Sequence, residues 1–441
     1  MQITHFCNSF ISVSKGKTLL MCDPWIGTAN HGGWMSYPIT SNIDNIFMHY
    51  HPTHIYISHL HTDHFCEQLL NKISDKQLPI IIKYFCDRRL LKKLNILGFK
   101  NVIEMPPWEV LKLGNDFEIT IIPADVTNAD GLADEISYDL DTSILIRSLS
   151  DNTFFFNGVD NPMSLSQYAK IKEYVKNKNG KIDIVCLAVG ASSEYPQCFL
   201  NIDREAEKNK VIDCSLSKFA NQLLMLEAEA YFPAGGVYII PGKFSMLNKY
   251  IAQPSLEQLK SVALQNNCKQ FFVLEGGSSV NNILGKWVKT DSHLQYFKSL
   301  NDAIQCYKNL TYEYSQEFED KEKSINELFL IAKEKYFAKL DTLSVNIKWK
   351  VIFNLYTDLN LNENGQIDIE NQPSQTLILS KTNQQADYEL ICHLDQNLFI
   401  NLLKRKCIWN LSLSGSIIMF ERHPNVFIPE IPFSLNYLAI I

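Results

Sequence analysis

The stretch "HIYISHLHTDHF", residues 54–65, places three of the chain's eleven histidines and an aspartate directly behind a short apolar run. The run HIYIS has the β-branched and aromatic residues of a strand, and side chains two residues apart on extended backbone point to the same side. His59 and His61 can therefore hold one metal ion, while Asp63 and His64, in the turn that follows, supply a second ion or a catalytic base. The alternative is a polar loop with incidental histidines, and the spacing HxHxDH behind a strand argues against it.

The composition is that of a globular chain without a basic surface. Of its 441 residues 46% are hydrophobic and 20% are charged, and the formal net charge is −7 without a dense lysine or arginine cluster. We expect no nucleic-acid partner, since phosphate binding requires concentrated positive charge. The N-terminal residues lack a signal-peptide pattern and no run of about 18 apolar residues occurs, so we expect no membrane span. Eleven scattered cysteines without a CxxC pair predict reduced thiols and a cytoplasmic location.

Apolar runs that end in an acid, a histidine or a glycine recur through the first 300 residues. They predict strands at 2–7, 17–22, 78–85, 117–123, 142–148, 153–157, 182–189 and 270–277 and a long helix at 203–230. Layered α/β folds place their sites at such strand ends, because the strand positions the loop that follows. Asp125 and Asp160 each follow a strand and are predicted metal ligands. The alternatives left open are a turn-forming aspartate at Asp125 and a helix cap at Asp160.

The sequence changes character near residue 300. Longer, charged, helix-favouring segments such as 315–340 follow, and then the polar stretch 362–375. We predict a metal-binding catalytic domain over 1–300 and a smaller α+β domain over 301–441, which covers the substrate or forms a dimer contact. The sequence leaves open whether the chain is a homodimer.

Several motifs beyond the histidine cluster resemble known families. HLHTDH behind IYIS, with Asp23-Pro24-Trp25 upstream, is similar to the metallo-β-lactamase fold, an αββα sandwich with metals at one edge of its sheets. The chain also resembles the CMP-N-acetylneuraminate hydroxylases, in a set of motifs that spans most of its length: Gly32-Gly33-Trp34, Leu140-Asp141-Thr142, Gly190-Ala191-Ser192, "YFPAGG" at 231–236 and the tail at 409–438. HxHxDH is specific for the fold and says little about the reaction.

The resemblance implies a metal-dependent oxygenase or hydroxylase that acts on a small polar substrate, with nucleotide sugars as one such class. The expected metal ligands are His59, His61, Asp63, His64, Asp125 and Asp160, with Asp63 also the candidate catalytic residue. His59 and His61 would share one ion with Asp125, and Asp160 would bridge to the second. The expected substrate contacts lie in loops, at His31, Trp34, Ser192 and Gly235.

Three departures from the family patterns bear on the chemistry. Metallo-β-lactamases have a histidine where Asp125 stands and another near the loop at 233–236, whereas here the next histidine after His64 is His293. Three histidines with three carboxylates favour iron over zinc or manganese, as one or two divalent ions. The hydroxylases begin with a Rieske domain, which needs CxH and CxxH pairs that are absent here. We therefore expect no iron–sulfur cluster in this chain and a separate electron donor.

Two other functions stay open. A metal-dependent hydrolase, of lactonase or phosphodiesterase type, would use a metal-bound hydroxide as its nucleophile. A non-catalytic, metal-stabilised binding module would explain the missing late histidine.

Overall fold

The computed structural model describes residues 1–38, 46–47, 49–125, 141–161, 163–190, 192–315, 323–381 and 386–441. In chain order its strands are β1 (Gln2–Cys7), β2 (Phe10–Lys15), β3 (Thr18–Cys22), β4 (Thr28–Ala29), β5 (Trp34–Ser36), β6 (His54–Tyr56), β7 (Ile80–Lys83), β8 (Val102–Met105), β9 (Val110–Leu113), β10 (Phe117–Pro123), β11 (Thr142–Ser148), β12 (Phe154–Val159), β13 (Ile182–Leu187), β14 (Ala230–Pro233), β15 (Tyr238–Ile239), β16 (Gln270–Phe271), β17 (Ser278–Ile283), β18 (Lys286–Thr290), β19 (Trp349–Tyr356), β20 (Gln375–Leu379), β21 (Tyr388–Asp395) and β22 (Met419–His423).

The α-helices are α1 (Glu67–Lys72), α2 (Arg89–Ile96), α3 (Leu165–Asn177), α4 (Arg204–Leu226), α5 (Leu256–Gln265), α6 (Leu300–Tyr307), α7 (Ile325–Thr342), α8 (Gln396–Leu403), α9 (Trp409–Ser414) and α10 (Glu430–Leu435). Short 3₁₀ turns lie at Asn30–Gly32, Gly242–Tyr250 and Glu313–Ser315. Capping side chains define several helix starts: Asp203 accepts from Ala206 N at 3.0 Å before α4, and Ser324 forms a capping box with Glu327 before α7. Among the described residues, no helix is both long and apolar enough to cross a membrane.

The first large sheet has the strand order β18-β17-β1-β2-β3-β6-β7-β8. Strands β1 to β3 form an antiparallel meander, and β3, β6, β7 and β8 run parallel. The prediction of only two strands before residue 23 was wrong, because Asn8, at φ 44°, turns the chain back and β2 pairs between them. Strand β6, which precedes the histidine cluster, lies inside this sheet between β3 and β7.

The second large sheet has the order β16-β14-β13-β12-β11-β10-β9. Strands β9 to β12 are antiparallel, and β12, β13, β14 and β16 are parallel. The predicted strands at 117–123 and 142–148 are confirmed as β10 and β11, whereas the predicted strand at 270–277 is regular only over its first two residues. The acids that follow β10 and β12 and precede β11 are thereby brought to one edge of the sheet.

The two sheets pack face to face and carry helices on their outer faces. Their shared interior contains Leu20 and Ile81 from the first sheet and Ile119, Phe155 and Phe232 from the second. A second apolar cluster joins the outer face of the second sheet to α3, α4 and α5, and a third joins the first sheet to α1 and α2. The layers therefore run helix, sheet, sheet, helix, which confirms the expected α/β sandwich.

The region after residue 300 contains a four-stranded sheet of order β20-β19-β21-β22 with α7 to α10 around it. Of the predicted helical segment 315–340, residues 316–322 lie outside the described part and α7 begins at Ile325. The apolar cluster of this region is continuous with that of the first sheet, since one cluster contains both Leu70 and Leu94 and both Phe353 and Phe399. The core thus crosses the expected boundary at residue 300.

Two glycines let the C-terminal region touch the loop before Trp34. A Cβ on Gly33 would lie 1.9 Å from the carbonyl oxygen of Gly415, and a Cβ on Gly415 would lie 2.8 Å from that of Asn30. Since real Cβ atoms do not approach a carbonyl oxygen so closely, the two backbones meet here only because both residues are glycine.

Candidate metal centre

The histidine cluster lies where the parallel strands of the first sheet end. Strand β3 delivers Asp23, and β6 delivers the motif that starts at His59. The carboxyl ends of parallel strands meet at one edge of a sheet, so these residues are neighbours despite their separation in sequence. Strand β12 of the facing sheet ends just before Asp160 and contributes from the other side.

His59, His61 and Asp141 form the first ligand group. The Nε2 atom of His59 lies 2.8 Å from Nδ1 of His61 and 2.7 Å from Oδ1 of Asp141. Thr142 places Asp141, because its hydroxyl lies 2.5 Å from the hydroxyl of Tyr56 and donates to the carbonyl of Ser58 at 2.9 Å. One ligand atom from each side chain therefore points at a common position.

Asp63, His64 and Asp160 form the second ligand group. The Nε2 atom of His64 lies 2.9 Å from Oδ2 of Asp160 and 3.4 Å from Oδ2 of Asp63. The His59 and His64 ring centroids are 4.1 Å apart, so the two groups adjoin. Among the described residues, three imidazoles and three carboxylates converge, the number expected from the sequence.

Buried polar groups behind the ligands fix their orientation. Asp23 accepts from the backbone N–H and from the hydroxyl of Ser58, both at 2.7 Å, and its Oδ2 lies 2.9 Å from Nδ1 of His64. The Ser58 hydroxyl is also 2.9 Å from Nδ1 of His59, and the amide of Asn8 donates to Asp63 at 3.1 Å. Both Nδ1 atoms are thus held by Asp23 and Ser58, which leaves the two Nε2 atoms facing the ligand groups.

The donor set fits a divalent metal ion. Among the described residues, Oδ1 of Asp141 is buried and has no hydrogen-bond partner, although it lies 2.7 Å from His59 Nε2. A buried carboxylate oxygen without a hydrogen bond is costly unless something else satisfies it, and a cation between the two atoms would do so. Imidazole and carboxylate are the ligands that iron, manganese and zinc accept.

The charges of the site are strongly coupled. Burial, helped by the charge of His64, lowers the pKa of His59 to about 3. Burial also opposes the charge on His64, but the carboxylates of Asp63, Asp23 and Asp160 outweigh it and raise the pKa of His64 well above its usual range. Burial raises the pKa of Asp141 to about 8. At neutral pH and without a metal, His64 and Asp141 therefore both carry a proton.

Metal binding is expected to release these protons and to tighten as the pH rises. Coordination requires neutral imidazole and ionised carboxylate, so bound protons compete with the ion below about pH 8, and the competition grows as the pH falls. Calorimetric titration with Co²⁺ at pH 7, in two buffers of different ionisation enthalpy, should give two binding enthalpies. We expect these to differ by more than the difference between the buffers' ionisation enthalpies for one proton, because more than one proton is released. Equal enthalpies in the two buffers would contradict the assigned protonation.

Asp125 does not lie with the other predicted ligands. Its Oδ1 accepts from the backbone N–H of Ser164 at 2.7 Å, and its carboxylate also accepts from the Ser164 hydroxyl. Ser164 is the N-cap of α3, so Asp125 supports a helix start. Asp141 takes the place expected for Asp125. The motif Leu140-Asp141-Thr142 already offered this signal, although Leu140 itself lies outside the described residues.

Two of the expected substrate contacts face other parts of the protein. Nε2 of His31 accepts from the backbone N–H of Ile408 at 3.0 Å, and burial lowers the pKa of His31 to about 4, so the ring is a neutral acceptor. Trp34 is buried and stacks on Tyr238, with ring centroids 3.9 Å apart. Its indole N–H has no hydrogen-bond partner among the described residues.

Of the other two, Gly235 lies beside the second ligand group and Ser192 lies beside Gly236. A Cβ on Gly235 would be 3.0 Å from Oδ1 of Asp160, and the backbone N–H of Gly235 donates to Asn8 O at 2.8 Å. The Ser192 hydroxyl lies 3.2 Å from where Gly236 would carry a Cβ, while Ala191 is outside the described residues. Gly235 thus adjoins the ligands in the loop where a late histidine was missing. Substrate contact at all four positions stays a prediction.

Comparison with known proteins gives partial matches. No protein-family model matches the chain. A Mycobacterium tuberculosis protein described as a Rieske 2Fe-2S iron–sulfur protein is 24% identical over 202 residues, which is 45% of this chain and 36% of the relative. A Mycolicibacterium smegmatis protein with the same description is 28% identical over 104 residues, or 24% of this chain and 20% of that one. The chain thus spans 36% or less of the length of these two relatives.

Solved structures with a similar course of the chain are distant in sequence. An isothiocyanate hydrolase from Delia radicum gut bacteria has 13% identity and a TM-score of 0.45, over 64% of this chain and 99% of its own. CmlA, a diiron β-hydroxylase from Streptomyces venezuelae, has 16% identity and a TM-score of 0.39, over 62% and 53%. The metallo-β-lactamase fold protein YhfI from Bacillus subtilis has 12% identity and a TM-score of 0.39, over 63% and 97%.

The fold follows from this chain's own features. Two facing mixed sheets with helices outside, and an HxHxDH cluster behind a parallel strand at the edge where both sheets end, make this a metallo-β-lactamase fold.

Proposed function

We propose that this chain is a metal-dependent enzyme that holds a pair of divalent ions, iron by preference, and oxygenates a small polar substrate. The observation that carries the proposal is the convergence of six ligand side chains in two adjoining groups. Such a set suits a dinuclear centre, in which two ions share the work of polarising and positioning a substrate.

The donor types support iron. His59, His61 and Asp141 are two histidines and one carboxylate, the set that non-haem iron oxygenases use with open positions for oxygen and substrate. The second group adds two carboxylates and a single imidazole, which is a harder set than zinc hydrolases use. Bound iron would supply oxygen activation, and the electrons would come from a separate donor protein.

The surrounding residues prepare the ligands and hold protons. Asp23 and Ser58 hold the rings of His59 and His64 in the orientation that a cation needs. Burial alone would raise the pKa of Asp63, but the neighbouring charge of His64 dominates and holds that pKa well below its usual range. Because a good general base has a pKa near the working pH, this favours Asp63 as a ligand over Asp63 as a catalytic base.

The substrate class is supported by the lining of the site and by the motif resemblance. A small polar molecule fits a site whose walls carry carboxylates, imidazoles and glycine loops. The narrower proposal of a nucleotide sugar is supported only by the motif resemblance to the hydroxylases. A hydrolase that uses zinc-bound hydroxide on the same ligands is the competing function, since two adjoining metals also serve hydrolysis.

Elemental analysis of protein purified without oxygen, followed by oxygen-uptake assays with a panel of nucleotide sugars and simple sugars, tests the proposal. We expect iron near stoichiometry in the wild type, loss of iron in His61→Ala, and oxygen uptake that depends on substrate. His54→Ala is the matched control, because His54 lies on β6 beside Thr53, outside both ligand groups. Stoichiometric zinc with turnover under nitrogen would establish the hydrolase instead, and a wild type that binds no metal would leave a binding module.

A further inference from the structure

Helix α9 of the C-terminal region lies against the first ligand group. The side-chain amide of Asn410 is 3.3 Å from Nε2 of His61, and the backbone N–H of Ile408 donates to His31. The loop that contains His31 is in turn fixed to the motif, because Asn30 N donates to the Thr62 hydroxyl and that hydroxyl donates to Oδ1 of Asn30, both at 2.9 Å. The motif, the loop and α9 therefore form a closed set of contacts.

The two nitrogens of His61 have different surroundings. Nδ1 faces Nε2 of His59 at 2.8 Å and belongs to the first ligand group, whereas Nε2 faces away from it towards Asn410. A neutral imidazole carries one proton, so a ring that offers the Nδ1 lone pair to a cation must keep its proton on Nε2. That N–H faces Asn410, and a half-turn of the Asn410 amide presents its oxygen as an acceptor.

We propose that Asn410 is a positioning residue of the metal centre: its amide oxygen accepts from Nε2–H of His61 and holds the ring with Nδ1 towards the ion. The inference rests on the proposed function only in requiring that the first ligand group binds a metal, and it is independent of the reaction. It makes the C-terminal region a part of the metal centre, although Asn410 is 349 residues from His61 in sequence.

Competition of the full-length protein with a chelator for Co²⁺, with the visible spectrum of the bound ion recorded, tests this role. Asn410→Leu removes the acceptor, and Asn410→Ser shortens the side chain so that its oxygen no longer reaches Nε2 of His61. We expect both to bind Co²⁺ about 10–100-fold more weakly, which is the usual effect of losing a hydrogen-bond partner of a ligand, with shifted absorption bands. Asn410→Asp keeps an acceptor and should bind at least as tightly as the wild type.

Ser414→Ala is the matched control, because Ser414 lies on the same helix and its hydroxyl donates to the backbone carbonyl of Asn410 at 3.1 Å without touching a histidine. It should leave both affinity and spectrum unchanged. Wild-type affinity and spectrum in either acceptor-free variant, or an equal loss in Asn410→Asp, would overturn the inference. A wild type and control that bind no Co²⁺ would instead overturn the proposed function.

Discussion

Asp141→Ala is expected to weaken metal binding by more than about 100-fold, beyond the effect of losing an outer partner of a ligand. The substitution removes the carboxylate whose Oδ1 lies 2.7 Å from Nε2 of His59, and it reduces the first ligand group to two imidazoles. Chelator competition with Co²⁺ and the iron content of anaerobically purified protein both measure the loss.

Asp125→Ala is the natural control for this experiment, because Asp125 was the ligand expected from the sequence. It should leave metal affinity unchanged and lower the free energy of unfolding by about 0.5–2 kcal/mol, through the weakened start of α3. The reverse result, with metal lost in Asp125→Ala and kept in Asp141→Ala, would restore the expectation from sequence and contradict the geometry.

Asp23→Ala is expected to damage both the fold and the metal site. Asp23 is 1% exposed and accepts from the N–H and the hydroxyl of Ser58, while its Oδ2 lies 2.9 Å from the Nδ1 of His64. Its removal leaves the Nδ1 of a buried, charged histidine and the N–H of Ser58 without their acceptor, while Asp63 and Asp160 still face His64, so we expect a loss of about 1–3 kcal/mol in unfolding free energy. Metal affinity should fall about 10–100-fold, because His64 is no longer held. Denaturant unfolding and Co²⁺ titration measure the two effects.

Asp395→Ala separates these two effects. Asp395 is also buried, and it accepts from Leu359 N, the Tyr314 hydroxyl and Lys243 Nζ, away from both ligand groups. Its loss should destabilise the fold to a similar degree without changing the metal affinity of the folded protein. If both variants lose stability and both keep wild-type affinity, Asp23 acts on folding alone.

The strands with unbroken apolar runs were predictable, because a strand that is buried on both faces consists almost entirely of apolar residues. Strand β2 was not predicted. The turn before it has Asn8 in a left-handed conformation, and a glycine at that position would have indicated the turn more clearly. The HxHxDH spacing likewise gave four of the six grouped side chains, and Asp160 followed from its place directly after β12.

The local sequence pattern does not show which of Asp125 and Asp141 faces the histidines. Strands β10 and β11 are antiparallel neighbours that pair Pro123 with Thr142, so both acids emerge at the same edge of the sheet. The hydroxyl contacts of Thr142 with Tyr56 and Ser58 decide which acid turns towards His59, and those contacts bridge two sheets. Asn410 carried no local signal either, since its partner becomes a neighbour only when the C-terminal region packs.

The meeting of Gly33 and Gly415 has a consequence for access to the metal centre. The nearest atoms across the seam between the loop and the end of α9 are backbone atoms, so changes of side-chain rotamer alone do not widen it. Opening it requires the two chain segments to move apart as bodies, and that movement would also draw Asn410 away from His61. If Asn410 holds His61 as proposed, a substrate that entered along this seam would disturb the first ligand group, so we expect the productive route to lie on another side of the centre.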